Sequence, residues 1–258
     1  MAPFAAPRFP PMPNVAIPES LVAALRDARR VVVLTGAGVS AESGVPTFRD
    51  AQTGLWAKYD PHELATPEAF QRNPKLVWEW YAWRREMVGG VEPNPGHVAL
   101  AELEFLVPDL VLVTQNVDGL HRRAGSRRVL ELHGDITRVK CFDCDAPAAR
   151  WADEPVPPPC ALCGGPLRPD VVWFGEMLPL RELEQAMEAA RLADVFLSVG
   201  TSALVYPAAA LPEVALQGGA VVVEINSAAT ALTPHCAHSL RGASGVVLPA
   251  LVAALRGG

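Results

Sequence analysis

The sequence predicts an α/β fold in which a parallel sheet is covered by helices on both faces and carries a small zinc-binding module. Short apolar runs of strand length alternate with segments of helical periodicity, which is typical of strands buried on both faces. A glycine-rich turn, Gly36-Ala37-Gly38, directly follows the first run, and two close cysteine pairs interrupt the alternation later. The fold class is therefore Rossmann-like, and ligands are expected at the carboxyl ends of the strands.

The strands and helices are predicted from apolar periodicity and from their end signals. Ser20 can cap a helix over residues 21–28. Asn73-Pro74 and Asn94-Pro95 each pair a cap with a proline in the first turn, opening helices to about residues 88 and 106. Two further helices are predicted over 179–193 and 207–216. The predicted strands are 31–34, 110–113, 129–132, 195–199, 221–225 and 246–248.

Four regions follow from this pattern. Residues 1–19 contain six prolines and no continuous apolar core, which predicts a flexible tail and argues against a signal peptide. The Rossmann-like domain comprises 20–135 and 173–258, with an aromatic-rich helical insertion at about 50–90. Residues 136–172, which contain the cysteine pairs, form the predicted zinc module.

Composition excludes two classes of partner. The chain has 258 residues and a net charge of −6, and no basic patch is evident, so nucleic acid is not expected. The longest apolar runs are strand-sized and fall well short of the roughly 20 residues of a membrane-spanning helix. Paired cysteines without a secretory signal favour a reducing, cytoplasmic location.

The glycine turn is the first candidate site. Gly36, Gly38 and Ala41 fit a GxGxxA pattern, in which glycines let the backbone approach a pyrophosphate and a following helix presents free amides. An ordinary strand-to-helix turn is the alternative. A dehydrogenase would place an acidic residue about 20 positions on, at the end of a second strand. Residues 53–60 do not form a strand pattern, which disfavours hydride transfer.

The cysteines predict a metal site. Cys141 and Cys144 are separated by 15 residues from Cys160 and Cys163, a spacing typical of tetrahedral zinc. Four thiolates leave no position for an activated water, so the zinc is expected to be structural. Redox cysteines or two simple turns are the alternatives. Cys236 stands apart and is assigned no role.

A longer motif resembles a known family. The run from Gly36 to Arg49, GAGVSAESGVPTFR, is similar to the NAD-binding signature of the sirtuins, which are NAD-dependent protein deacylases. Three more segments resemble the same family in the same order: 114–118 (TQNVD), 132–134 (LHG) and 200–202 (GTS). The resemblance extends from about residue 20 to the C-terminus.

This resemblance implies a reaction and a cofactor site. Sirtuins split the bond between nicotinamide and ribose and transfer an acyl group from lysine to ADP-ribose. NAD would be consumed as a co-substrate, and acylated-lysine proteins or peptides would be the partners. The implied cofactor-binding residues are Gly36, Ala37, Gly38, Ala41, Glu42, Thr47, Phe48, Arg49, Gln115, Asn116, Asp118, Gly200, Thr201, Ser202, Asn226, Ser227 and Ser244.

His133 is the candidate catalytic base. An imidazole has an ordinary pKa of about 6.5, close to working pH. A lone histidine is more often structural, but His133 follows a predicted strand where an active site is expected. It also matches the sirtuin base by resemblance. His62, His97, His121, His235 and His238 keep the structural interpretation.

Another motif concerns the acyl group. Tyr81 and Arg84 lie three residues apart in the helix predicted from 74 to 88, so they can share a face. They resemble the Tyr-x-x-Arg pattern of sirtuins that remove succinyl, malonyl and glutaryl groups, because a phenol and a guanidinium can hold a distal carboxylate. Ala65 resembles a small residue that widens this acyl pocket. A surface arginine beside a packing tyrosine is the alternative, and Arg85 is the nearest competitor.

The segment after the zinc module is the candidate substrate strand. By resemblance, Val172, Phe174 and Gly175 belong to a segment that pairs its backbone with the substrate peptide, a mode with little sequence preference. The leading hypothesis is NAD-dependent desuccinylation or demalonylation, with deacetylation also possible. Protein ADP-ribosyl transfer in the same pocket is the second hypothesis, and a nucleotide-sensing or zinc-ribbon binding module is the third.

Overall fold

A six-stranded parallel sheet forms the centre of the molecule. The computed structural model describes residues 15–45, 60 and 64–257. Its strands are β1 (Arg30–Thr35), β2 (Asp109–Thr114), β3 (Val129–Glu131), β7 (Val195–Val199), β8 (Val221–Asn226) and β9 (His238–Arg241). The strand order is β3-β2-β1-β7-β8-β9, and every neighbouring pair is parallel. This arrangement confirms the predicted fold class.

Alternation of side chains along β1 divides the core into two layers. Val31 and Val33 pack into one apolar cluster, whereas Val32 and Leu34 pack into the cluster on the opposite face. All four are essentially inaccessible to water. Each such side chain contributes about 1.5–3 kcal/mol when buried, and this double burial explains why the run is continuously apolar.

Helices cover both faces of this sheet. On the first face lie α1 (Glu19–Asp27), α4 (Pro95–Leu103) and α8 (Ser244–Arg256). On the second lie α6 (Leu180–Arg191) and α7 (Leu211–Gln217), the latter preceded by a single 3-10 turn at Ala208–Ala210. The remaining described helices are α2 (Pro67–Arg72), α3 (Pro74–Gly89) and the short α5 (Leu120–Arg123).

Two of the three predicted helix caps are present, whereas Ser20 is not a cap: it lies inside α1, which begins one residue earlier at Glu19 and has Pro18 as its N-cap without a side-chain hydrogen bond. The Asn73 side chain accepts a hydrogen bond from the Leu76 amide at 3.1 Å, and the Asn94 side chain accepts one from Gly96 at 2.9 Å. Both asparagines are followed by a proline at the first helical position. The helix opened by Asn94 ends at Leu103, three residues before the predicted end.

One predicted strand is wrong. Residues 246–248 belong to α8, and the last strand is instead β9. A run of three apolar residues is too short to distinguish the periodicity of a strand from that of a helix. The longer pattern is helical, because the residues buried on one face are spaced three and four apart: Val247, Leu248, Leu251 and Val252. The apolar pattern did not predict strand β9 because only one of its four residues, Leu240, is buried.

A separate three-stranded antiparallel sheet carries the cysteine pairs: Cys141 ends one of its strands, and the other three cysteines lie in the connections between the strands. Its order is β5-β4-β6, with β4 at Gly134–Cys141, β5 at Pro147–Ala148 and β6 at Leu167–Val171. It begins two residues before the predicted module boundary at 136. Trp78 of α3 packs against this sheet, so the helical insertion and the module support each other.

Some predictions lie outside the described residues. These are residues 1–14 of the predicted tail, the proposed cofactor-loop residues Thr47, Phe48 and Arg49, and residues 50–59 and 61–63 of the predicted insertion. The described end of the predicted tail is not loose, because Val15 and Ile17 pack against the core and Glu19 begins α1. In the part of the chain that the structure describes, no helix is long and apolar enough to cross a lipid bilayer.

Candidate active site

The predicted site residues converge at one edge of the parallel sheet. Gly36 follows β1, Gln115 follows β2, and Gly200 follows β7. Asn226 ends β8, and His133 lies two residues beyond the end of β3. Because the strands are parallel, their carboxyl ends meet along the same edge, which is where such sheets bind ligands.

Two glycine turns are packed backbone against backbone in this edge. The Gly38 amide donates to the Gly200 carbonyl at 2.8 Å, and Gly36 donates to the Val199 carbonyl at 3.2 Å. A Cβ atom on Gly38 would lie 2.8 Å from the Gly200 Cα, and one on Gly200 would lie 2.5 Å from the Val39 nitrogen. Gly200 also has a φ of +58°, which favours glycine. The glycines are therefore required by the close approach of the two turns to each other.

The segment after Gly36 differs from the predicted helix. Within the described residues it forms two short 3-10 turns, Ala37–Val39 and Ala41–Ser43, rather than an α-helix. Glu42, in the second turn, accepts a hydrogen bond from the Gly245 amide at 2.6 Å. It also accepts a longer one from Ser244 Oγ at 3.5 Å. Its carboxylate therefore caps the amino end of α8, where a negative charge is favourable.

The Ser40 hydroxyl has three partners in a buried hydrogen-bond network. It donates to the Asp118 carboxylate at 2.7 Å and accepts from the side-chain amide nitrogen Nδ2 of Asn116 at 3.0 Å. The third partner is His97 Nε2 at 3.3 Å. Because His97 Nδ1 accepts from the Asn94 backbone amide, its Nε2 carries the hydrogen and donates to Ser40.

This network fixes two predicted pocket residues, Asn116 and Asp118. Asp118 is buried, and its pKa is raised, mainly by loss of solvation. Sequence reasoning missed Ser40 and assigned His97 only a structural role. The position of Ser40 within the glycine motif was the one available signal, because its partners come from elements 57 to 78 residues away.

Thr201 connects the other polar residues of the edge. Gln115 Nε2 donates to Thr201 Oγ1 at 3.0 Å, and the Asn226 amide donates to the Thr201 carbonyl at 2.9 Å. Thr201 is buried, whereas Ser202 and Ser227 are exposed. Side-chain hydrogen bonds therefore connect the carboxyl ends of β2, β7 and β8.

His133 is oriented by a single backbone contact. Its Nδ1 lies 2.8 Å from the Gln115 carbonyl oxygen, and its own carbonyl accepts from the Val172 amide at 2.9 Å. Burial lowers the pKa of His133 below its ordinary value, while the hydrogen bond to Gln115 opposes that shift. His133 is therefore neutral at neutral pH.

The candidate substrate-binding segment, residues 172–175, lies between His133 and Ala65. Val172 pairs with the His133 backbone, and the Phe174 amide donates to the Ala65 carbonyl at 2.9 Å. Ala65 is buried, Phe174 is half exposed, and Gly175 turns the chain with a φ of +87°. The candidate base, the candidate small residue and the candidate peptide-binding segment are thus neighbours.

Tyr81 and Arg84 lie together beside this segment. Tyr81 is buried, and its hydroxyl accepts a hydrogen bond from Trp173 Nε1 at 3.0 Å. Burial raises the pKa of Tyr81 to about 12, and the positive charge of Arg84 acts in the opposite direction. Arg84 is partly buried, its guanidinium lies 5.0 Å from the Trp80 ring centroid, and burial lowers its pKa.

Arg85 points to the zinc module instead. Its Nε donates to the Ile136 carbonyl at 2.9 Å, and its guanidinium lies about 5.5 Å from the Trp78 and Trp151 rings. The two adjacent arginines therefore face different surroundings, as expected for neighbours about 100° apart on a helix.

The four cysteines form a compact cluster. Their sulfur atoms all lie within 4.8 Å of one another, and the shortest pairs are 3.5 to 3.8 Å apart. Tetrahedral zinc with Zn–S bonds of about 2.3 Å requires sulfur separations of about 3.8 Å. Three backbone amides, those of Asp143, Leu162 and Gly165, donate to these sulfurs at 3.4 Å. The cluster therefore fits a structural zinc ion.

Fold and site together define a class: a dinucleotide-binding α/β domain joined to a four-cysteine zinc module. A model of the Sir2 family matches residues 36–207. The chain is 52% identical over 247 residues to an NAD-dependent protein deacylase of Methylococcus capsulatus, covering 92% of this chain and 97% of that protein. It is 55% identical over 231 residues to NAD-dependent protein deacylase 2 of Pyrobaculum aerophilum, covering 88% and 92%. The chain belongs to the Sir2 family, and the resemblance to sirtuins is confirmed.

Solved structures agree with this membership. A Sir2 homologue in complex with NAD superposes with a TM-score of 0.88 at 48% identity, covering 94% of this chain and 95% of that one. A Sir2 protein bound to an acetylated peptide gives a TM-score of 0.79 at 30% identity, covering 90% and 95%.

Proposed function

We propose that this protein is an NAD-dependent protein-lysine deacylase that prefers acidic acyl groups such as succinyl and malonyl. The products would be free lysine, nicotinamide and O-acyl-ADP-ribose. Deacylation is supported by the family and by the relatives, which are named NAD-dependent protein deacylases. Those names do not favour ADP-ribosyl transfer.

The observation that carries the finer proposal is the pairing of Tyr81 with Arg84 beside the candidate substrate strand. The guanidinium of Arg84 is partly buried, and a charge in such surroundings attracts a carboxylate more strongly than it would in bulk water. Charge-assisted hydrogen bonds between an arginine and a carboxylate are stronger than neutral ones. An acetyl group offers no such partner. Ala65, with its small side chain, leaves room for the longer acyl chain.

The proposed mechanism assigns His133 the role of general base. Its Nε2 would accept a proton from a ribose hydroxyl, while Nδ1–H stays directed at the Gln115 carbonyl. NAD supplies the electrophilic ribose carbon when bound. The glycine turns, Glu42, the Gln115–Asp118 segment, Thr201, Ser202, Asn226, Ser227 and Ser244 are proposed to bind it, together with Thr47, Phe48 and Arg49.

The remaining roles follow from the same proposal. Val172, Phe174 and Gly175 would pair with the main chain of an acyl-lysine peptide, which would allow a broad range of substrate sequences. The zinc would support this strand without taking part in the reaction. A cytoplasmic location and the division into 20–135 with 173–258 and 136–172 stay predictions of the sequence.

A matched pair of peptides tests the function. Peptides that differ only in carrying succinyl-lysine or acetyl-lysine are incubated with the protein, with and without NAD, and free lysine peptide and nicotinamide are quantified by mass spectrometry. We expect NAD-dependent release from both and a higher kcat/KM for the succinyl peptide. Equal or faster turnover of the acetyl peptide would contradict the acidic-acyl proposal. Label from NAD that stays on protein without deacylation would favour ADP-ribosyl transfer.

A further inference from the structure

Trp173 makes a directional contact with the proposed acyl-binding tyrosine. Its indole Nε1 lies 3.0 Å from the Tyr81 hydroxyl oxygen, and both side chains are at least 97% buried. An indole N–H can only donate, so the phenol oxygen is the acceptor in this bond. The hydroxyl hydrogen of Tyr81 is then directed away from Trp173 and remains available to another acceptor.

The indole that makes this contact is held from two sides. The Arg168 guanidinium stacks 3.3 Å from the centroid of the Trp173 ring. The Trp173 backbone amide donates to the Glu176 carboxylate at 2.7 Å, and the same carboxylate accepts from Arg168 Nη2 at 2.9 Å. Arg168 also donates to the Val171 carbonyl at 2.8 Å. The ring therefore has little freedom to turn away from Tyr81.

The protonation state of Tyr81 suits a donor. Burial raises the pKa of its phenol to about 12, so the hydroxyl keeps its hydrogen throughout the neutral range. The nearby Arg84 is also only a donor. With Trp173 donating to the phenol oxygen, the Tyr81 hydroxyl is directed as a donor, and the positive charge of Arg84 nearby favours an acceptor at the same place.

We propose that Trp173 is a positioning residue for acyl-group selectivity: its N–H orients the Tyr81 hydroxyl so that the phenolic hydrogen is donated to an acceptor at the distal end of the acyl chain. This inference rests on the proposed function, since it concerns the same acyl pocket. Trp173 acts through Tyr81 and does not itself touch the acyl group. It therefore controls the ratio of succinyl to acetyl turnover rather than the shared steps of the reaction.

A double-mutant cycle tests this coupling. The ratio of kcat/KM for succinyl and acetyl peptides is measured for the wild type, Trp173→Phe, Tyr81→Phe and the double variant. Loss of one neutral hydrogen bond should lower the ratio about three- to tenfold in Trp173→Phe. In the Tyr81→Phe background the same change should alter the ratio less than twofold, because the hydroxyl through which it acts is gone.

Two further variants distinguish this effect on selectivity from a general loss of folding or activity. Trp78→Phe removes another buried indole of the zinc-module side and should leave the ratio unchanged. If Trp173→Phe folds poorly, benzothienylalanine at position 173 replaces only the N–H by sulfur and should give the same three- to tenfold decrease. A wild-type preference that persists in both Trp173 variants, or additive effects in the cycle, would overturn the inference alone. A wild type without succinyl preference overturns the proposed function, and the inference with it.

Discussion

His133 Nδ1 and the Gln115 carbonyl oxygen lie 2.8 Å apart, and this contact fixes the tautomer of the ring. A carbonyl only accepts, so Nδ1 carries the hydrogen and the free lone pair is on Nε2. Gln115 directly follows β2, whereas His133 follows β3, so the register of two adjacent parallel strands sets the orientation of the proposed base.

Replacing His133 by alanine should reduce deacylation by about 100-fold or more, because general-base catalysis typically contributes 10²–10⁴-fold. Nicotinamide release and deacylated peptide are followed with the succinyl substrate. His235→Gln changes an exposed histidine and serves as the control, with expected activity near that of the wild type. Turnover of His133→Ala within tenfold of the wild type would eliminate the assigned role.

The pH dependence of the rate should reflect the same residue. Burial lowers the pKa of His133 from its ordinary value of about 6.5. The base works only when neutral, so kcat/KM should fall as pH decreases through this lowered pKa. We therefore expect the acid limb of the kcat/KM profile below pH 6.5, and a midpoint at or above about 7 would disagree.

Zinc should be required for folding and not for chemistry. The protein is expected to contain one zinc ion per chain, measured by atomic emission. Cys160→Ser should lower the zinc content and the unfolding temperature together, since structural zinc sites contribute directly to folding free energy. Cys236→Ser is a matched control because this thiol lies outside the cluster, and it should retain full zinc content. Loss of zinc without loss of thermal stability would contradict a structural role.

Local signals predicted the elements well where each signal has one physical meaning. Asn73 and Asn94 cap helices because their side-chain oxygens can accept from the first free amides. The spacing of the cysteine pairs predicted a cluster because two knuckles bring four sulfurs together. Residues 246–248 were assigned to a strand because three apolar residues fit either period.

Side-chain contacts between segments far apart in the chain could not be predicted from the sequence. The partners of Ser40 come from the starts of a helix and a loop far along the chain, and only the fold brings His97 and Asp118 to it. The pairing of Trp173 with Tyr81 spans 92 residues. Side-chain pairing of this kind depends on tertiary packing and has no local periodicity.

Two buried histidines should make the protein sensitive to acid. Burial lowers the pKa of His97 to about 4 and that of His121 to about 3, and their rings lie 4.8 Å apart. The unfolded chain, with histidine pKa values near 6.5, binds these protons first as pH falls. Stability is therefore present above about pH 6.5 and is lost between that pH and the folded-state pKa values.

The size of this loss can be measured by urea unfolding. Between pH 7 and pH 5 each histidine should remove about 2 kcal/mol from the free energy of unfolding. His121→Leu lacks one of these groups, so the difference between the two pH values should shrink by about that amount. His235→Gln, an exposed site, should leave the difference unaltered. An identical pH dependence in wild type and His121→Leu would refute the assignment.

The two neighbouring arginines of α3 provide a matched pair for acyl selectivity. Arg84 lies beside Tyr81, whereas Arg85 donates to the Ile136 carbonyl in the zinc module. A charged hydrogen-bond contact is worth about 1.5–3 kcal/mol, so Arg84→Met should reduce kcat/KM for the succinyl peptide about ten- to hundredfold. The acetyl reaction, which makes no such contact, should change much less. Arg85→Met should lower thermal stability through the lost contact with β4 and leave the succinyl-to-acetyl ratio intact. If both variants lower the ratio equally, the effect is a general weakening of the helix and Arg84 does not recognise the carboxylate.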